Sequence, residues 1–416
     1  MLRTHYSKDI DAKHHEKKVV AAGWVRTIRE VGGIKFLVLA DRFGTVQVTA
    51  KKDAADAKLM KQLSSINRED VISVSGIVKR NEKAPNGCEI IPESIVMLGK
   101  AETPLPLETD VRIHSELDTR IDNRFIDMRN PKVRSIFRIK DVIQRSFVRY
   151  LESHDFVLFN TPAIVAAATE GGTDLFPISY FENEAFLSQS PQLYKQILMA
   201  TGIDKVAIVT PVFRAEKHNT THHLNESIQM DIECAFVEDE EDVLKYLDGV
   251  LHFIYDTVKK TCKEELEILE RKIDVPELPI KRLTYTDAVK IGNIKWGEDL
   301  TPEAQRHINK KFSPAIITKW PTDVRAFYAM PESGNEKICR AYDMIIDGIE
   351  ICSGAQRVHN YSQLVEIMKA RKMNPKNFEF YLKAFRYGMP PHAGWSIGLE
   401  RLTMVITGAK NIRECV

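Results

Sequence analysis

Between Pro104 and Pro131 the apolar residues of this chain change their spacing from a period of about two to one of about 3.6. A strand alternates faces at every residue and a helix does not, so the two stretches cannot belong to one layer of structure. Before the change, Val19-Val20-Ala21-Ala22-Gly23-Trp24-Val25 leads to a Gly32-Gly33 turn and then to Ile34-Lys35-Phe36-Leu37-Val38-Leu39. Thr45-Val46-Gln47-Val48-Thr49 follows Phe43-Gly44, and Val71 to Val78 alternates again after a short helical stretch. Short β-branched runs with glycine punctuation and one interposed helix predict a small closed barrel of the OB type over residues 1–104; another small β domain is the alternative. Such barrels are a common platform for single-stranded nucleic acid.

Thr103-Pro104-Leu105-Pro106 punctuates the chain, and the polar stretch 105–130 reads as a hinge. Beyond it, Ile136, Ile139, Ile143, Phe147 and Tyr150 recur at helical spacing, as do Val243, Leu247, Val250, Ile254 and Val258. Around them lie β-rich runs at Lys205–Val209, Met230–Phe236 and Asp347–Ile351. Grouped strands without alternating βαβ units predict an α+β domain over 131–416 built on an antiparallel sheet flanked by helices. The weaker periodicity of 261–331 reads as an insertion within it.

Lys and Arg number 59 against 58 Asp and Glu, a formal charge of +1, which excludes a histone-like polycation but permits a locally basic face. There is no apolar run long enough to span a membrane and no signal-peptide pattern at Met1-Leu2-Arg3-Thr4. The six cysteines form no C-x-x-C pair, which argues against a zinc or disulfide framework and for a reducing, cytoplasmic location.

Two stretches carry chemistry. In Val212-Phe213-Arg214-Ala215-Glu216, followed by His222-His223-Leu224, an Arg and a Glu two apart on a strand share a face. A cationic fork beside a carboxylate suits a nucleotide, although by itself the pair also reads as a surface ion pair. In Gly394-Trp395-Ser396-Ile397-Gly398-Leu399-Glu400-Arg401, glycines admit close approach of a ligand, yet their spacing matches neither the Walker nor the dinucleotide fingerprint.

In this order the two stretches resemble motifs 2 and 3 of the class II aminoacyl-tRNA synthetases, and Ile136 through Pro162 is similar to motif 1. The N-terminal barrel resembles that of the subgroup handling Asp, Asn and Lys. Thr169-Glu170-Gly171-Gly172-Thr173-Asp174, Gln189-Ser190-Pro191-Gln192-Leu193-Tyr194-Lys195 and Glu350-Ile351-Cys352-Ser353-Gly354-Ala355-Gln356-Arg357 narrow the resemblance to the archaeal/eukaryotic aspartyl branch.

The resemblance implies a homodimer that activates L-aspartate with ATP and magnesium and transfers it to tRNA(Asp), with tRNA(Asn) left open as a second acceptor. It implies that Glu170 takes the substrate ammonium, that Gln192 orients it, and that Lys195 and Arg357 grip the side-chain carboxylate. Asparagine would leave those two cations without a counter-charge, at a cost on the order of 3–5 kcal/mol. Arg214 would contact the aspartate and stabilise the α-phosphate, making it the catalytic residue, with no covalent nucleophile needed. Glu216 would meet the adenine amine and Arg401 the γ-phosphate. His222, His223, Leu224, Gly398, Leu399 and Glu400 complete the implied ATP site. Glu350 and Ser353 would hold magnesium, and Ser353 also borders the amino acid.

In the barrel, the resemblance sets Phe36, Gln47 and Glu89 against anticodon bases, with Arg26 near the third base. Alternation alone instead makes Phe36 a core residue. The chain departs from the motifs at Ser396, where glycine is usual, and at His222, where arginine is common. It offers no aromatic platform for adenine at Ser227 or Ile228. The rival readings are an asparaginyl-tRNA synthetase and a synthetase-like protein that charges no tRNA.

Overall fold

Five strands of the N-terminal unit close on themselves: β1 (Lys18–Val31), β2 (Ile34–Ala40), β3 (Thr45–Lys51), β4 (Val71–Arg80) and β5 (Cys88–Gly99), in the order β1-β2-β3-β5-β4. The computed structural model describes residues 2–53, 56–109, 115–166, 175–217 and 220–416, and its two units divide between Ile126 and Asp127. The Ala57–Ser64 helix follows β3, capped by the Asp56 carboxylate, and sends Leu59 and Leu63 into a core with Val25, Leu37, Leu39, Val48 and Ile72. Gly76 is dictated by a close crossing, since a Cβ there would lie 2.1 Å from the Ile91 carbonyl oxygen.

Along β2, Leu37 and Leu39 are buried whereas Phe36 and Val38 are partly exposed. The core reading of Phe36 is therefore wrong. Alternation assigns residues to two faces without saying which face is covered, and here the odd-numbered residues turn inward.

The second unit is built on a nine-stranded sheet. Its chain begins with β6 (Val157–Phe159), followed by a separate three-stranded sheet of β7 (Ile164–Val165), β8 (Pro177–Tyr180) and β9 (Asn183–Leu187). Then come β10 (Lys205–Phe213), β11 (Glu226–Ala235), β12 (Lys281–Thr284), β13 (Ala315–Pro321), β14 (Pro331–Glu332), β15 (Asn335–Ile346), β16 (Ile349–Gln356) and β17 (His392–Gly398). The main path runs β12-β13-β15-β16-β17-β11-β10-β6, with β14 paired to β15. Its interior pairs are antiparallel, and only the edge pairs β6–β10 and β12–β13 are parallel. Residues 261–331, read as an insertion, supply β12 and β13 to this sheet. Their short strands lie among short helices, a mixture of periods that masks either pattern.

The Pro131–Glu152 and Glu241–Thr261 helices bury the stripes read from sequence: Ile139, Ile143 and Phe147 meet Val243, Leu247, Val250 and Ile254 in one core with Ile232, Trp395 and Ile397 of the sheet. Trp395 packs edge-on to Phe147 at 6.2 Å and donates its indole N–H to the Val243 carbonyl. Truncating an aromatic so placed costs about 3–5 kcal/mol.

Candidate active site

Motif 2 departs from the expected geometry. The strand β10 ends at Phe213, so Arg214, Ala215 and Glu216 lie beyond it, and strand alternation does not align them. Instead the Asn225 amide donates to the carbonyls of Arg214 (2.8 Å) and Glu216 (2.9 Å), while the Arg214 N–H donates to the Asn225 carbonyl at 2.8 Å. One amide thus holds both residues at the mouth of the sheet.

Arg214 stands where two cavities meet. One is walled by Gln192, Asp231, Tyr328 and Arg357, the other by Glu216, His222, His223, Leu224, Glu350 and Arg401; Gln229, Ser353 and Ser396 also line both. The exposed Arg214 side chain makes no ion pair among the described residues.

Behind the first cavity lies a sealed charge cluster. The Lys195 ammonium donates to Asp231 Oδ1 at 2.8 Å and to the Trp395 carbonyl at 3.2 Å, with Glu233 Oε2 at 3.6 Å. Arg357 donates Nε to Glu233 Oε1 at 2.9 Å and Nη2 to Glu233 Oε2 at 3.2 Å, to the Gly394 carbonyl at 2.8 Å and to Gln192 Oε1 at 3.4 Å. All four charged groups are at most 3% exposed. Burial alone would raise the Glu233 carboxyl, but Arg357 and then Lys195 overcome it and hold the group below the usual carboxylate range. Gly394 is required here: a Cβ would fall 2.2 Å from Glu233 Oε2.

These pairs correct the expectation of two bare cations. Lys195 and Arg357 are balanced by Asp231 and Glu233, which sequence reasoning missed, and Lys195 does not line the cavity. The available signal was Met230-Asp231-Ile232-Glu233, two acids sharing one face of a strand deep in a sheet. What Arg357 still offers is Nη1, which makes no hydrogen bond among the described residues. Gln192 contributes a buried Nε2 without a partner among the described residues, its orientation set by Oε1 accepting from Arg357. A donor suits a carboxylate, not the ammonium that Gln192 was expected to orient. Glu170 lies outside the described residues.

In the second cavity, Arg401 is anchored through neutral acceptors, Nη1 to the Glu350 carbonyl (3.0 Å) and Nε to the His222 carbonyl (3.3 Å), and makes no ion pair among the described residues. Its charge stays available for a phosphate. His222 is held below the usual imidazole range, first by burial and then by Arg401. The exposed His223 pairs Nδ1 with Thr220 Oγ1 at 2.7 Å.

Gly398 has an ordinary φ of −76°, and a Cβ there would meet only the Arg401 side chain at 3.8 Å, so glycine supplies space, not a special turn. One expectation changes. Leu399 is fully buried with its side chain in the core. Glu400 lines the cavity, and its carboxylate also accepts from Lys140 (2.9 Å) and the Ile228 N–H (3.0 Å), bracing the helix Leu399–Thr407 against β11. Among the described residues no Phe, Tyr or Trp lines this cavity; Leu224, Ile351 and Ile412 supply its apolar wall.

The residues expected to hold magnesium, Glu350 and Ser353, both line the second cavity. The Glu350 carboxyl is pushed up to about 7, first by burial and then by Asp343, a second carboxylate missed from sequence. Asp343 pairs with both terminal nitrogens of Arg325 and sits opposite Ser353 in register. Glu350 and Ser353 offer oxygen donors of the kind magnesium takes, whereas the Asp343 carboxylate is engaged by Arg325. Among the described residues no group of three or more His, Cys, Asp or Glu forms a metal cluster.

On the barrel, Glu89 Oε2 accepts from Thr49 Oγ1 at 2.6 Å and from the amides of Gln47 and Asn81, each at 3.0 Å. Phe36 pairs with Thr49 across β2 and β3, on the same outer face. Arg26 belongs to another network, donating to Glu69 at 2.7 Å.

A family model described as tRNA synthetases class II (D, K and N) matches residues 116–416, and one described as an OB-fold nucleic acid binding domain matches residues 19–98. The chain belongs to the class II tRNA synthetases of the aspartate, lysine and asparagine group. It is 48% identical to the aspartate–tRNA(Asp/Asn) ligase of Methanocaldococcus jannaschii, over 100% of this chain and 96% of the relative. With the aspartate–tRNA(Asp) ligase of Pyrococcus furiosus the identity is 47%, over 100% and 98%. The fold also matches a crystal structure of asparaginyl-tRNA synthetase from Pyrococcus horikoshii with a TM-score of 0.94 at 30% identity, covering 100% of this chain and 98% of that one.

Proposed function

We infer that this chain is an aspartate–tRNA ligase, forming aspartyl-adenylate from L-aspartate and ATP and passing the aspartyl group to tRNA(Asp). The observation that carries the reading is Arg214 at the junction of a cavity walled by Arg357 and one walled by Arg401. The aspartate carboxylate attacks the α-phosphorus in line and pyrophosphate leaves. Arg214 neutralises charge developing on the α-phosphate, and Arg401 holds the γ-phosphate. Glu216 accepts from the adenine amine, and Leu224 and Ile412 replace the missing aromatic wall. Glu350 and Ser353, with Asp343 beside them, would hold magnesium. When bound, the ion offsets phosphate charge.

The aspartate side chain meets Arg357 Nη1 and Gln192 Nε2, and Glu170 takes the ammonium. Since the cluster behind is already neutral, asparagine is refused because its amide turns a donor toward donors and forfeits a charge-assisted bond worth ~1.5–3 kcal/mol. The exposed Val157 and Leu158 on the edge strand β6 support a homodimer. No helix among the described residues is long and apolar enough to cross a membrane, and all six cysteines are buried without disulfides, which supports a cytoplasmic location.

ATP–pyrophosphate exchange with each amino acid tests the reading, and preference for asparagine overturns it. Charging tRNA(Asp) and tRNA(Asn) side by side settles the acceptor range. A monomer in sedimentation at micromolar concentration excludes the dimer.

A further inference from the structure

We propose that the β2–β3 turn, with the N-terminal segment folded over it, is a second RNA contact that grips backbone phosphates of the anticodon arm. The proposal rests on the reading that the neighbouring barrel face meets the anticodon bases.

The turn is built around a buried acid. Asp41 Oδ2 accepts from the Ser7 N–H at 2.6 Å, and its Oδ1 accepts from Ser7 Oγ at 2.7 Å and from the Phe43 N–H at 2.8 Å. This ties the N-terminal segment to the turn and sets Tyr6 edge-on to Phe43 at 5.0 Å. Three cations lie on those rings. Lys8 Nζ is 3.7 Å from the Phe43 centroid, the Arg42 guanidinium is 4.8 Å from the same ring, and Arg3 is 4.7 Å from Tyr6.

None of the three makes an ion pair among the described residues, and the neighbouring acid Asp9 does not reach them. Some cations of the barrel are matched, Lys18 with Glu93, Lys79 with Glu16, Arg68 with Glu108 and Lys100 with Asp70, and others such as Arg29 and Lys52 are not among the described residues. What sets this patch apart is that its three cations gather on two rings in mutual contact. Three gathered like charges repel until a polyanion arrives, and binding one releases counterions. The rings orient the cations while Lys8 and Arg42 keep their polar ends in solvent. Because cations already cover the ring faces, the patch is suited to phosphates and not to stacked bases.

One loop joins the patch to the base-reading face. In the segment between β4 and β5, Asn86 donates to the carbonyls of Ser7 (3.1 Å) and Thr45 (3.2 Å), and Asn81 donates to Glu89. An RNA loop seated on Phe36, Gln47 and Glu89 therefore has its backbone within reach of a continuous surface that ends in three cations.

The test measures binding of a short RNA stem-loop carrying the aspartate anticodon to the full chain across a salt series. In the triple variant Arg3→Gln, Lys8→Gln, Arg42→Gln, the slope of log affinity against log salt should flatten by about 2, and affinity at moderate salt should fall on the order of 10-fold or more. Pyrophosphate exchange should not change. A stem-loop with a scrambled anticodon should lose the same factor. An unchanged slope, or a loss confined to the cognate loop, overturns the phosphate contact. The pair Arg3→Lys, Arg42→Lys keeps the charge and should keep the slope; flattening there means charge is not the cause, and the proposal fails. Phe36→Ala, measured in parallel, should weaken binding without altering the slope. If it has no effect while the triple variant flattens the slope, the anticodon assignment fails and the patch stands.

Discussion

Glu89 on the barrel and Glu233 in the catalytic unit each sit among donors, yet only one of them is sealed. Glu89 is partly exposed and accepts from Thr49 and Gln47, which are buried, and from the partly exposed Asn81 amide. Glu233 is fully buried and faces an arginine and a lysine. Neutral donors around a partly exposed carboxylate can exchange partners at smaller cost than buried charges can. For fully desolvated charges the cost is high, because losing one partner strands the other in a medium that solvates it poorly. The barrel network is thus the more exchangeable of the two, and the cluster in the catalytic unit is fixed.

The sharpest way to break this contrast is Arg357→Gln. It strands Glu233 and should cost about 3–5 kcal/mol of stability in denaturant melts, together with a loss of aspartate affinity in pyrophosphate exchange. Adding Glu233→Gln should recover stability but not affinity. If the single variant is as stable as the parent, the cluster is not sealed.

Next in size is Arg214→Ala, at the cavity junction and outside the sealed cluster. Exchange and charging should both fall on the order of 10²–10³-fold with the melting temperature unchanged. Loss of charging alone would exclude a role in adenylate formation.

His392 probes the sealed region by pH. Burial first, and then Arg357, pull its imidazole down to about 4, against only partial opposition from Glu233. The unfolded chain therefore takes up the proton first. Stability is flat above the ordinary value of about 6.5 and falls as pH drops from there to about 4, by about 3 kcal/mol in all. Denaturant melts at pH 7 and pH 5 should show this component of the loss, and His392→Gln should remove it. Equal pH slopes in both proteins would mean that the imidazole is solvated.

The smallest effect separates neighbours on one strand. Phe36→Ala should weaken tRNA affinity by ~1–3 kcal/mol and leave exchange and thermal stability intact. Leu37→Ala should instead cost about 2–5 kcal/mol of barrel stability. A destabilised Phe36→Ala would return that ring to packing.

Much of this was legible beforehand. The change of period near Pro104 separates barrel from sheet, and the helical stripes at Ile139 and Leu247 are the ones the core buries. Arg214, Glu350, Arg357 and Arg401 are recognisable from their motifs and line the two cavities. What was missed shares a cause. Lys195 was read as a bare cation because its partner Asp231 is 36 residues away, and Glu400 as a free carboxylate because Lys140 lies in a helix far back along the chain.

Local spacing is a property of the chain, and it determined the elements, their faces and the motif residues brought to the sheet's mouth. Which face is covered, and which charge finds which partner, depend on contacts that no local pattern encodes. Arg357 and Glu233 stand 124 residues apart and meet only because β16, β17 and β11 lie side by side. Asn225 aligns Arg214 with Glu216 only once the hairpin has closed. Burial gives those meetings their energy, and burial belongs to the folded whole.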